Sequence, residues 1–163
     1  MTRRPKTLQE ELKQSRPFAT PSEEVAVAVL RTAALLRRAF AQRIEPSGIS
    51  PAQYNVLRIL RGAGGEGLPT LAVRDRLIEE APGITRLIDK LESAGLVRRD
   101  RTAKDRREVR CCITPLGLAA LDELDVLVRD SHDLIATGLP RVEDQEQLLD
   151  LLTRVRAGIR DPE

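Results

Sequence analysis

Gly83-Ile84-Thr85-Arg86-Leu87-Ile88-Asp89-Lys90-Leu91-Glu92 is followed, two residues on, by Gly95-Leu96-Val97. Ile84, Leu87, Ile88 and Leu91 recur at i, i+3, i+4 and i+7, the spacing of one buried helix face. Pro82 suits the first turn of that helix, and Gly95 suits the left-handed position that closes it. The residues left off the apolar stripe are Gly83, Thr85, Arg86, Asp89, Lys90 and Ser93. Taken alone this is an amphipathic helix, equally compatible with a solvated polar face.

The neighbouring segments change that reading. Upstream, Ser50-Pro51-Ala52-Gln53 is a capping box with proline at the first helical position, opening a helix that carries Tyr54, Leu57 and Leu60 inward and stops at Gly62. Gly62 to Gly67 reads as a turn, and Pro69-Thr70 as the start of a third helix reaching Glu79, with Leu71, Val73 and Leu77 apolar. Downstream, a strand begins at Leu96-Val97, and Val109, Cys111 and Ile113 alternate in a second strand. The connection between the strands is dense in arginine: Arg98, Arg99, Arg101, Lys104, Arg106, Arg107 and Arg110 stand against Asp100, Asp105 and Glu108. Such a loop repels itself unless it meets an anion. Two short helices joined by a tight turn, then a basic β-hairpin, are the parts of a winged helix-turn-helix; the second helix of the pair, here the one over Gly83 to Glu92, can enter a DNA major groove while arginine at the hairpin seeks the minor groove. In that setting Gly83 lets the backbone approach DNA, and Thr85 bonds a base or a phosphate. Arg86 reaches guanine or a phosphate, and Lys90 suits a phosphate.

Helices flank this lobe on both sides. Pro21-Ser22-Glu23-Glu24 opens the first, with Ser22 as its expected N-cap; Val25, Val29, Ala33, Leu36, Phe40 and Ile44 form one stripe, and Val27, Leu30 and Leu35 add apolar surface beyond it. Thr114-Pro115 opens another, carrying Leu116, Ala120, Leu121, Leu124, Leu127 and Val128 to about Ile135, and a last helix runs from Val142 to Ile159. A helix apolar on more than one side needs two neighbours, such as its own core and a second subunit. Residues 1–20 form a basic arm with room for a short helix around Leu8 to Gln14. It is equally readable as disordered, as a DNA contact, or as a strap across a partner.

With 163 residues, 41% apolar and only 2% aromatic, the chain has enough aliphatic side chains for one core. Lysine plus arginine (27) nearly balance aspartate plus glutamate (25), so the distribution of charge and not its sum points to nucleic acid. No apolar run approaches the roughly 18–20 residues of a membrane span, and no signal-peptide core follows the basic N-terminus, so a soluble cytoplasmic protein is expected.

At Gly83 to Glu92, Gly95-Leu96-Val97, Asp105-Arg106-Arg107 and Ile113-Thr114-Pro115-Leu116-Gly117, the chain resembles the MarR family of bacterial transcription regulators. The resemblance extends over about Ser22 to Ile159. It implies a mainly α fold with a small β-hairpin wing, a six-helix winged helix-turn-helix dimer. The helical dimerisation region is residues 21–46 and 114–161, and the DNA-binding lobe is 47–113. It also implies a homodimer on a pseudo-palindromic double-stranded operator, acting as a repressor and released by a small phenolic or lipophilic effector. In the family's wing motif the position of Asp105 braces the arginine at Arg107, which enters the minor groove. The expected DNA-contacting set is therefore Pro82, Gly83, Thr85, Arg86, Lys90, Arg99, Asp105, Arg106 and Arg107, with Phe40, Tyr54 and Leu57 as candidate lining of an effector pocket. Two departures stand out: Glu80-Ala81 precedes the recognition helix where the family has Ser or Thr as cap, and the basic N-terminal extension is long.

Other chemistries find little support. Adjacent cysteines make a strained disulfide, and alternation on a strand is expected to bury Cys111 and turn Cys112 outward. A thiol-switched regulator working through Cys112 is the alternative this leaves, although redox-sensing members carry their cysteine near the start of the first helix. His132 is the only histidine, so no metal or other cofactor site is expected. The sequence holds no nucleophile–base set and no phosphate-binding glycine loop, which argues against an enzyme. A protein-interaction module using the winged fold without DNA is the remaining rival, and the arginine loop weighs against it.

Overall fold

The computed structural model describes residues 4–79, 83–101 and 109–161, with side chains described there except at 101 and 130–132. It divides into two compact units, 1–40 and 41–163.

In the first unit a short helix, α1 (Leu8–Leu12), is closed by a complete capping box. Thr7 Oγ1 accepts the Glu10 N–H at 3.3 Å, and Glu10 Oε2 accepts the Thr7 N–H at 2.8 Å. Glu11 lies 3.6 Å from Arg31 of the long helix α2 (Pro21–Ile44), and Arg4 pairs with Glu10 at 2.8 Å. The cap of α2 is Thr20, not Ser22. Thr20 Oγ1 accepts the Glu23 N–H at 3.2 Å, and the Glu23 carboxylate takes the Ala19 N–H at 2.8 Å. Pro21 thereby occupies the first helical position, where its missing N–H costs nothing. None of residues 4–40 is buried.

The second unit holds the core. α3 (Pro51–Ala63) opens with the expected Ser50/Gln53 capping box and buries Tyr54, Val56, Leu57 and Leu60. α5 (Ile84–Ser93) buries Ile84, Ile88 and Leu91 against it and ends in a Schellman turn, Leu96 N–H to Leu91 O at 2.9 Å and Gly95 N–H to Glu92 O at 2.8 Å. α6 (Pro115–Gly138) adds Leu121, Leu124 and Val128, with Thr114 as its cap. At roughly 1.5–3 kcal/mol for each fully buried aliphatic side chain, this contiguous cluster dominates the stability of the unit. α7 (Val142–Arg160) has no buried residue.

Two expectations are corrected here. The third helix is short, α4 (Thr70–Arg74), and the residues before it, Leu68–Pro69, form a strand, β1. Only Val73 of α4 is buried; Leu71 is 61% and Ile78 80% exposed, so the apolar pattern to Glu79 did not mark a buried face. Beyond Asp75 the bonds shorten to i→i−3, and the Asn55 side chain of α3 accepts the Ile78 N–H at 3.2 Å. The sheet therefore has three strands in the order β1-β3-β2, with β2 (Val97–Arg101) and β3 (Val109–Ile113) as the expected hairpin and Leu68 opposite Cys111.

The second correction concerns β3. Val109 is exposed, whereas Cys111 and Cys112 are both buried, Cys112 at 4% exposure. The turn Gly64–Glu66 covers the far face of the strand, leaving Cys112 Sγ 3.9 Å from Gly65 O. Arg110 fastens that cover by donating to Glu66 O at 2.8 Å and Gly67 O at 2.9 Å.

Candidate nucleic-acid interface

α5 presents its polar face to solvent because its apolar face is consumed by the core. Gly83 is the N-cap, with φ 102° and ψ 34° and no capping side chain. A Cβ there would meet nothing closer than Arg86 Cδ at 3.9 Å, so the backbone angle and not crowding calls for glycine. Thr85, Arg86 and Lys90 are exposed, and Arg86 and Lys90 stand one helical turn apart on the same flank. Neither Arg86 nor Lys90 forms an ion pair among the described residues, so both charges are available to an anion.

Arg99 is placed differently. Its Nη2 donates to Asp89 Oδ1 at 2.6 Å, its Nη1 pairs with Glu92, and its backbone N–H donates to Glu92 Oε1 at 3.2 Å. Burial would lower its pKa, but the hydrogen bonds and charges of Asp89 and Glu92 prevail and raise it. Next to it Arg98 pairs with Asp100. Pro82, Asp105, Arg106 and Arg107 lie outside the described residues, as do Glu80, Ala81 and the side chain of His132.

The base of the hairpin is held by a second close approach. Thr114 Oγ1 accepts the Gly117 N–H at 3.0 Å and donates to Gly95 O at 2.7 Å. A Cβ on Gly117 would stand 2.1 Å from the Leu96 carbonyl oxygen. The first turn of α6 thus rests directly on the chain linking α5 to β2.

Behind this face, α3 and α6 enclose an open recess of about 220 Å³ lined by Tyr54, Arg58, Arg61, Asp125 and Arg129. Tyr54 OH donates to Asp125 Oδ1 at 2.7 Å, and Arg61 Nη1 donates to Asp125 Oδ2 at 2.7 Å. Burial first, then the hydrogen bond and the negative charge of Asp125, push the Tyr54 hydroxyl up to about 12. Burial would raise the Asp125 carboxyl, but the donors Tyr54 and Arg61 outweigh it and hold the group below its ordinary range. Arg58 lies over the Tyr54 ring, 5.9 Å from its centroid, and its charge also acts on Asp125, though neither Arg58 nor Arg129 forms a close ion pair among the described residues. Of the expected lining, Tyr54 is present, Leu57 is wholly inside the core and Phe40 belongs to the first unit. The arginines and Asp125 were not anticipated. Their signal was a polar stripe, 54, 58 and 61 on α3 facing 122, 125 and 129 on α6.

The chain matches the MarR family model over residues 49–109. It is 30% identical over 122 residues to a Thauera aromatica protein assigned to transcriptional regulation of the hcr operon, covering 72% of this chain and 70% of that one. Among solved structures, a MarR transcription factor from Planctomyces limnophilus is 34% identical with a TM-score of 0.63, over 84% of this chain and 98% of that one. Bordetella bronchiseptica BpsR, whose DNA binding is regulated by 6-hydroxynicotinic acid, superposes with a TM-score of 0.74 at 23% identity, over 86% and 98%.

Proposed function

The chain belongs to the MarR family of DNA-binding transcription regulators, and from that premise we propose that it acts as a homodimeric repressor released from its operator by a small acid. Two copies of α5 would lie one helical turn apart, ~34 Å, each reading half of a pseudo-palindromic site. Thr85 and Arg86 meet base edges or phosphates, Lys90 a phosphate, and the wing residues Arg106 and Arg107 the adjacent minor groove, with Asp105 bracing Arg107. The observation that carries this reading is the pair of unneutralised cations, Arg86 and Lys90, on the solvent flank of a helix whose other face is fixed in the core.

The uncovered apolar surface supports a dimer. Val25, Val29, Leu30 and Leu35 on α2 and Leu148, Leu149, Leu151, Val155 and Ile159 on α7 are all exposed in the single chain. Patches of this kind on a soluble protein mark association surfaces. We assign residues 21–46 and 114–161 to dimerisation and 47–113 to DNA binding.

The effector site is the recess between α3 and α6. Two arginines not held in close ion pairs, beside a tyrosine, suit a carboxylate on an aromatic ring. The volume, about 220 Å³, falls below the roughly 300–1,000 Å³ of drug-sized pockets, which favours a single ring. BpsR's response to 6-hydroxynicotinic acid supports the same ligand class. Such a ligand lowers operator affinity only by its preference for the dimer whose reading helices are out of register.

The test is selection of a duplex from a randomised library by the full-length protein, followed by fluorescence anisotropy at two salt concentrations. Affinity should fall steeply with salt, and Arg86→Ala should weaken binding. Equal affinity for the selected and a shuffled duplex would remove the proposal. For the effector, 6-hydroxynicotinic acid and benzoate are added to the complex; release that Arg129→Ala leaves unchanged would move the site elsewhere.

A further inference from the structure

Arg99 stands at the third position of β2, beside the solvent flank of α5, where an unpaired guanidinium would be a ready phosphate clamp. Its surroundings point to a different task. The head group is held by Asp89 at 2.6 Å and by Glu92, while the Arg99 backbone N–H is taken by the other oxygen of Glu92 at 3.2 Å. Asp89 and Glu92 are one turn apart on α5, so a single strand residue ties down both acids of that flank. Only 24% of the Arg99 side chain is exposed. The group of three carries one positive and two negative charges, a local excess of one negative, and a phosphate arriving there would be repelled unless two ion pairs broke first.

We propose that Arg99 is a positioning residue, which with Asp89 and Glu92 locks the wing strand to the recognition helix so that both meet DNA as one rigid body. The proposal rests on the assignment of α5 as the reading helix and refines it. α5 and β2 are joined by three residues, and Gly95 with its left-handed turn sets the direction of the chain there. A short link fixes the distance between helix and strand but leaves their mutual tilt to side chains. The bond to the strand backbone matters most, since it fixes main chain as well as side chain. Functional sites need their geometry held to within about 0.5 Å, and supporting contacts of this kind are what hold it.

The two roles for Arg99 give opposite results when the acids are removed. The full-length protein is measured on the selected duplex and on a shuffled duplex of equal composition, across a salt series. Variants are Arg99→Gln, the pair Asp89→Asn with Glu92→Gln, and all three together. Positioning predicts that the acid-neutralised pair binds the selected duplex about tenfold more weakly, the scale of one lost base contact. Its affinity for the shuffled duplex should stay level or rise. The triple variant should lose little more than either parent, because one linkage is being broken, and the salt slope of Arg99→Gln should match the wild type. A direct phosphate contact predicts instead that the acid-neutralised pair binds at least as tightly as wild type, and that Arg99→Gln lowers the slope by about 0.9 and weakens both duplexes alike; either result overturns the proposal. Equal loss on both duplexes with a lowered melting temperature also overturns it, since Arg99 would then only support folding. Arg86→Ala runs alongside. If it leaves selected-duplex affinity unchanged, α5 is not the reading helix and both assignments fall; if Arg86→Ala weakens binding and the acid pair does not, only the positioning role falls.

Discussion

Tyr54 is the only tyrosine, and the chain has no tryptophan, so its ionisation is directly visible in the ultraviolet. Burial and the hydrogen bond to Asp125 raise its pKa to about 12, against about 10 for a free tyrosine. The tyrosinate absorbance of the folded protein should therefore rise near pH 12, and Asp125→Asn should move that midpoint toward 10. A raised pKa stabilises the fold fully below the unfolded value, and that contribution is lost as pH climbs from about 10 to about 12. Asp125 works in the opposite direction. Its depressed pKa stabilises the fold above the unfolded value, about 3.9, and the benefit disappears as acid protonates it. At Gly83, alanine would be forced into a left-handed backbone at φ 102°. Gly83→Ala should lower unfolding free energy by about 1–2 kcal/mol in a urea titration, and an unchanged midpoint would mean the start of α5 relaxes freely.

Whole elements were legible in the sequence where their signals are local. Ser50 with Gln53, Thr114 with Pro115, and Gly95 after Leu91 each put cap and helix within a few residues, and all three stand where the pattern placed them. What could not be read depends on contacts across the chain. α4 ends early because Asn55, 23 residues upstream, takes the next free N–H. Cys112 is inside because a glycine turn some 45 residues away lies over it. The recess was half legible for the same reason: Tyr54 shows in the pattern of α3, while Asp125 and Arg129 come from α6. The Thr114–Gly117 corner makes the contrast quantitative. Thr114→Ala removes a helix cap and should cost about 1 kcal/mol. Gly117→Ala drives a methyl to 2.1 Å from the Leu96 carbonyl and should cost about 3 kcal/mol or more. Thermal melts of the two variants should separate clearly, and similar values would mean that α6 can slide off the linker.

For the whole molecule the governing observation is how little the terminal helices bury. Leu149 is 63% exposed in the single chain, and α7 has no buried side chain. If a second copy covers that surface, Leu149→Lys should shift sedimentation toward the monomer and abolish operator binding. If water covers it, the same change should stay within about 0.5 kcal/mol of neutral. Melting temperature should also rise with protein concentration, as mass action requires for coupled folding and association. Finally, the neighbouring thiols of β3 face opposite sides of one strand, Cys111 beside Thr70 and Cys112 beneath the Gly64–Glu66 turn. Alkylation therefore acts as a pair of clocks: modification at Cys112 times the lifting of the turn, modification at Cys111 times the parting of the strand from α4, and peptide mass spectrometry of the two adducts would tell which side of the sheet breathes first when DNA lets go.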